Sequence, residues 1–160
     1  MSFEIKRLSE ENSAAVAEIE KLCFSTPWSE ATISSEIKSG FSDFFGAFSE
    51  EKFAGYIGGR TVADETEIFN VAVSPEFRRK GIAKALIEKF IETVRKKETQ
   101  VIFLEVRASN LPAIALYEKN GFVFCGLRKN YYTNPTENAL LMRLAFDGTQ
   151  EFEEWDDDED

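Results

Sequence analysis

The chain has 160 residues with 29 acidic and 19 basic side chains, but residues 147–160 (DGTQEFEEWDDDED) hold nine of the acids and none of the bases. The first 146 residues are therefore almost neutral, and the formal charge of -10 belongs to the C-terminal stretch. This length supports one domain with one sizeable core, and 43% hydrophobic residues with 15 Phe favour globular packing over disorder. There is no histidine, which removes Ser-His-Asp and Cys-His nucleophile pairs and all imidazole metal ligands. Two cysteines, Cys23 and Cys125, are too few for a four-thiolate zinc site, so no metal is expected. Their apolar neighbours suggest reduced core thiols in a reducing cytosol. No stretch approaches the roughly 20 apolar residues of a membrane span, and the N-terminus lacks a signal peptide's apolar run. The expectation is a soluble cytoplasmic protein without membrane contact.

Residues 3–8 alternate as a strand, after which Ser9 can cap a helix carrying Val16, Ile19 and Cys23 on one face and broken by Pro27. Ser29 can cap a second helix, with Ile33 and Ile37, that Gly40 stops. Residues 44–48 and 53–62 read as strands joined by a polar tip, and residues 67–73 as an apolar, central strand ended by Pro75. Residues 81–97 are an amphipathic helix with a basic C-terminal end. A strand over 101–107 precedes a short helix opened by Ser109 or Asn110, with Pro112 in its first turn and Gly121 after its end. Strands over 122–127 and 139–144 complete a β-α-α-β-β-β-α-β-α-β-β order, an α+β fold with a mixed, mostly antiparallel sheet flanked by helices. Residues 1–146 form the domain and residues 147–160 an acidic, disordered tail.

The junction Arg78-Arg79-Lys80-Gly81-Ile82-Ala83 between the central strand and its helix has the composition of a pyrophosphate cradle. Gly81 allows close backbone approach, the free N–H groups of a first helical turn attract an anion, and Arg78, Arg79, Lys80 and Lys84 add positive charge. It is neither a P-loop nor a GxGxxG pattern.

Residues 71–90, VAVSPEFRRKGIAKALIEKF, match the Arg/Gln-x-x-Gly-x-Gly/Ala signature in its strand-turn-helix setting, with Arg78, Gly81 and Ala83 in the signature places. With Phe69 to Val73, Leu104 to Asn110, Ala115 to Glu118, Gly121-Phe122 and Asn130-Tyr131-Tyr132, the chain resembles the GNAT-type N-acetyltransferases. Its form is most similar to the bacterial ribosomal-protein-alanine enzymes, the RimI type. The resemblance spans roughly residues 3–146 and implies acetyl-CoA as co-substrate. It places the cofactor at Val71, Ala72, Val73, the turn from Arg78 through Arg79, Lys80, Gly81, Ile82 and Ala83 to Lys84, and Asn110. The strand holding Val71 and Val73 is expected to splay from residues 103–106, so that pantetheine enters and pairs with the backbone of Val71 and Val73.

Glu105 interrupts an apolar strand, where a carboxylate must face solvent, a partner or a cleft. The resemblance makes it the general base and makes Tyr117 the acid that protonates the leaving thiolate. Trp28, Tyr131 and Tyr132 are the expected acceptor-side residues. An α-amine is easier to deprotonate at neutral pH than lysine by about 3.5 kcal/mol, which favours a protein N-terminus. The resemblance points to the alanine of a small-subunit ribosomal protein. A lysine or small-amine acceptor, a non-catalytic acyl-CoA-binding module and a covalent route through Cys125 remain alternatives. No basic stripe with interleaved aromatics supports direct nucleic-acid binding. The tail can attract a basic substrate, fold back on Arg78 to Lys84, or serve as a solubilising end.

Overall fold

A computed structural model describes residues 2–146 and residue 148. The rest of the acidic stretch, and with it every expectation about a tail, lies outside the described residues. Strands β1 (Glu4–Arg7), β2 (Ser42–Ser49), β3 (Lys52–Val62), β4 (Glu65–Val73), β5 (Val101–Arg107), β6 (Val123–Tyr132) and β7 (Glu137–Ala145) form one sheet of order β1-β2-β3-β4-β5-β7-β6. Helices α1 (Ser13–Cys23) and α2 (Glu30–Lys38) follow β1, α3 (Ile82–Arg95) links β4 to β5, and α4 (Leu111–Lys119) links β5 to β6. The element order is the expected one, and only β4 and β5 run parallel.

The caps follow local chemistry. The Thr32 N–H donates to Ser29 Oγ at 3.1 Å, and the Ala113 N–H donates to Asn110 Oδ1 at 3.3 Å. Ser9 opens a short 3-10 turn at Glu10–Asn12 before α1, its N–H donating to Asn12 Oδ1 at 2.9 Å. The apolar stripe of α3, Ile82, Leu86, Ile87, Phe90 and Val94, is completely covered. Each such side chain contributes about 1.5–3 kcal/mol. With Phe45, Ile57, Ile68, Ile102, Leu104 and Val106 they make the larger core, which α4 closes through Tyr117. A second core on the other sheet face joins α1 and α2 to Phe44, Tyr56 and Ala72.

Two irregularities in strand pairing shape the molecule. On the β3–β4 ladder Gly58 faces Asn70 and Gly59 faces Ile68, so Phe69 is an extra residue on β4. Before this bulge Ile68 belongs to the larger core; after it Val71 and Val73 pack there, while Phe69 and Ala72 join the second core. On the other edge β4 pairs with β5 only from Glu65–Val101 to Ile68–Leu104. Beyond this point the strands part, as the resemblance implied.

The last hairpin is longer than its sequence suggested. β6 runs to Tyr132, so Tyr131 and Tyr132 lie on the strand and not after it. Arg128 to Tyr131 are exposed, Asn130 has φ 52°, and the register shifts between Arg128 and Tyr132. That irregular, polar stretch hides the alternation on which strand recognition depends. The cysteines also differ from expectation: both are half-buried thiols, because Cys23 ends α1 at the cleft and Cys125 sits beside a bulge.

Gly59 sits where the strands crowd. A Cβ there would meet the Glu67 carbonyl and the Phe90 ring, each at 2.5 Å. Gly59→Ala is expected to lower stability by about 1–3 kcal/mol, read as a lower urea midpoint with unchanged slope.

Candidate active site

The parting of β4 and β5 opens a cleft of about 630 Å³. Its walls come from β4 (Glu67 to Val71), β5 (Leu104 to Arg107), the α1–α2 loop with Trp28, α4 with Asn110 and Tyr117, and the end of β6 with Tyr131 and Tyr132. Glu105, Tyr117, Trp28, Tyr131, Tyr132, Val71 and Asn110, separated in sequence, are thus brought to one cavity.

Strand alternation explains how β4 presents its backbone. The Ser74 N–H donates to the Ala54 carbonyl at 2.8 Å, and Ala72 and Asn70 face Tyr56 and Gly58 in the same register. Antiparallel alternation turns the amide groups of Ser74, Ala72 and Asn70 toward β3 and those of Val71 and Val73 toward the opening. The Val73 carbonyl already accepts Arg78 Nε at 3.0 Å and the Cys23 thiol at 3.6 Å. Arg78 of the signature therefore braces the end of β4.

The turn after β4 is built by two left-handed residues, Arg79 at φ 66° and Gly81 at φ 80°. Nothing lies within 4 Å of a Cβ placed on Gly81. The Ala85 N–H donates to the Gly81 carbonyl at 3.1 Å. The N–H groups of Ile82, Ala83 and Lys84 come before that bond, as at any helix start. Arg79, Lys80 and Gly81 are exposed and Ala83 is half-buried. Open backbone, free amides and surrounding cations suit a phosphate-bearing ligand.

Glu105 leaves the apolar face of β5, as alternation required: Leu104 and Val106 are buried in the core and Glu105 turns the other way. Its carboxylate lies 3.3 Å from Arg128 Nε, and interaction with Glu105, ahead of burial, raises the Tyr131 phenol above its usual range. Glu67 lines the same cleft, and burial, then the charge of Glu105, raises its carboxyl above the ordinary range. Tyr117 is buried against Phe122 with ring centroids 5.9 Å apart. Burial, then Tyr132, holds its phenol well above the usual value. The proton is therefore fully present at neutral pH, and giving it up costs more than for a free phenol. Tyr132 is pushed up to about 12 by burial and then by Glu105.

Arg107 ties the acceptor side together. Its guanidinium donates to the Thr133 carbonyl at 2.7 Å, the Pro135 carbonyl at 3.0 Å, Glu137 at 3.1 Å and Ser25 Oγ at 3.2 Å, and it lies 4.5 Å from the Tyr132 ring centre. Glu137 in turn accepts the Ser109 N–H at 2.6 Å. Bonds from Ser109, then Arg107, lower its carboxyl pKa. Sequence reading gave no role to Arg107, Arg128, Glu67 or Asn70. Cys125 lines an adjoining hollow that shares Glu67, Leu104 and Glu105 with the cleft, whereas the thiol lining the cleft itself is Cys23.

Comparison with known proteins agrees with this geometry. Residues 13–122 match the Acetyltransferase (GNAT) family. The chain is 37% identical over 142 residues to the [Ribosomal protein bS18]-alanine N-acetyltransferase of Escherichia coli strain K12, covering 88% of this chain and 95% of that protein. It is 34% identical to the Bacillus subtilis protein named putative [ribosomal protein bS18]-alanine N-acetyltransferase, covering 86% and 92%. The crystal structure of the Escherichia coli ribosomal-protein-S18-alanine N-acetyltransferase superposes with a TM-score of 0.84 at 36% identity, covering 90% and 94%. That of Ard1 from Thermoplasma volcanium does so at 0.81 and 28%, covering 91% and 98%. The chain belongs to the GNAT family of acetyltransferases.

Proposed function

We propose that the protein transfers an acetyl group from acetyl-CoA to the N-terminal α-amine of an alanine-started protein, with the small-subunit ribosomal protein bS18 as acceptor. The observation that supports this most directly is that Glu105 and Tyr117 line one cleft between parted strands. The similarity to bS18-alanine N-acetyltransferases over 88% of the chain supports the acceptor.

The reaction is a direct transfer in a ternary complex. The pyrophosphate of acetyl-CoA lies on the Gly81 turn, and pantetheine runs along the outward backbone of Val71 and Val73. Ala72, whose amide turns to β3, shapes the strand and does not bond the ligand. Asn110 keeps its side-chain oxygen as the α4 cap, so its amide N–H₂ is the group available to the cofactor. The amine nitrogen attacks the thioester carbonyl and its proton passes to Glu105, directly or through water. As the tetrahedral intermediate collapses, the carbon–sulfur bond breaks and the thiolate takes the Tyr117 proton. Trp28, Tyr131 and Tyr132 wall the acceptor side.

The balance of charge favours an α-amine over lysine. The base has one strand-borne carboxylate to work with, and deprotonating lysine at neutral pH costs about 3.5 kcal/mol more. Peptides starting with Ala, peptides with internal Lys and polyamines, incubated together with acetyl-CoA and read by mass spectrometry, test the assignment. Acetylation of the Ala α-amine is expected; faster modification of lysine or polyamine overturns it. Binding of acetyl-CoA without turnover on any pool would mark a non-catalytic module.

Glu105→Gln and Tyr117→Phe are each expected to lower kcat by about 10²–10⁴-fold while calorimetry shows acetyl-CoA affinity unchanged. Gly81→Ala forces an L-residue into the left-handed region, at a cost of about 1–2 kcal/mol. Its expected signature is a raised KM for acetyl-CoA at constant peptide KM.

A further inference from the structure

Glu20 on α1 is fully buried, yet no cation pairs with it among the described residues. Its carboxylate accepts three neutral donors: the Trp28 N–H at 2.8 Å, the Tyr56 hydroxyl at 2.5 Å and Asn70 Nδ2 at 3.0 Å. Burying a carboxylate without a counter-charge is expensive, and an apolar residue would serve packing alone at lower cost. The three donors show what the group does. Trp28 belongs to the α1–α2 loop and Asn70 follows the β4 bulge, and both line the cleft. Tyr56 comes from the adjacent β3 and fixes the carboxylate from below.

A carboxylate offers only acceptors, so the Asn70 amide must present its nitrogen to Glu20. Its carbonyl oxygen has no partner among the described residues, and Asn70 is half-buried on the cleft wall. That oxygen is therefore an unused acceptor on a residue that lines the cleft. We infer that Glu20 is a positioning residue that aims the Asn70 carbonyl oxygen at an N–H of the acceptor's leading residue and holds the Trp28 loop in register with it. The acceptor class rests on the function proposed above; the arrangement of Glu20, Asn70 and Trp28 does not.

Steady-state kinetics on the full chain separate this role from simple support. KM for an Ala-started peptide and for acetyl-CoA are measured for the wild type, Glu20→Gln, Asn70→Ala and the double variant. Glu20→Gln puts an N–H₂ group where one donor now points, and Asn70→Ala removes the acceptor itself. Each is expected to raise peptide KM about tenfold, the worth of one hydrogen bond, with acetyl-CoA KM unchanged, and the double variant should be no worse than the weaker single one. Equal rises in both KM values, additive effects, or an unchanged peptide KM in Asn70→Ala overturn the inference. The last result decides the matter even if Glu20→Gln fails to fold. A wild type that ignores Ala-started peptides contradicts the proposed acceptor instead, and the same comparison is then made on the amine it does acetylate. Independently of turnover, Trp28 emission in a Trp155→Phe background should shift to the red on Glu20→Gln. An unshifted spectrum overturns the role in the loop.

Discussion

The site exists because β4 cannot follow β5. β5 is paired with β7 along its whole length, from Val101–Ala145 to Arg107–Ala139, and β4 is paired with β3 up to Gly55–Val73. The two half-sheets meet over four residue pairs and then diverge at the Phe69 bulge. Such a divergence would leave amide groups unsatisfied in a closed core; here it lies at a cleft, where a ligand's own amides can complete the ladder. α3 packs beneath β2, β3 and β4 and joins Ile68 to Ile102 and Leu104, so the parting is held open from below without being filled.

Around this opening, charged groups fix positions more than they supply net stability. Arg107 pins the α1–α2 loop and the β6–β7 turn to β5. Arg128 holds Glu105, and Arg78 braces the end of β4. Glu20 joins the loop to the strand after the bulge. These bonds lie around the cleft, which is where preorganisation for transfer chemistry has to be maintained.

Much of this was legible in the sequence for identifiable reasons. Gly81 amid four cations at a strand-to-helix junction specifies its turn locally, and Glu105 stands out because a charge interrupts an apolar strand. What was hidden depends on irregular pairing. The Phe69 bulge shifts the alternation of β4, so no regular pattern links Asn70 to α1. Glu20, between Ile19 and Lys21, looks like one more charge on a helix that also carries Glu18. The exposed Arg128-Lys129-Asn130 run interrupts β6 and concealed that Tyr131 and Tyr132 ride on a strand. The half-buried state of Cys23 follows from its place at the helix end, which its apolar neighbours in sequence did not disclose.

The central claim is that acetyl-CoA enters between the parted strands with its phosphates on the Gly81 turn. Amide NMR on the isotopically labelled protein, titrated with CoA, tests it most directly. The account predicts shifts concentrated at Val71, Val73, Ile82, Ala83 and Lys84, with smaller ones at Glu105 and Asn110. Shifts confined to the adjoining hollow at Arg60, Val62 and Arg143 would contradict it.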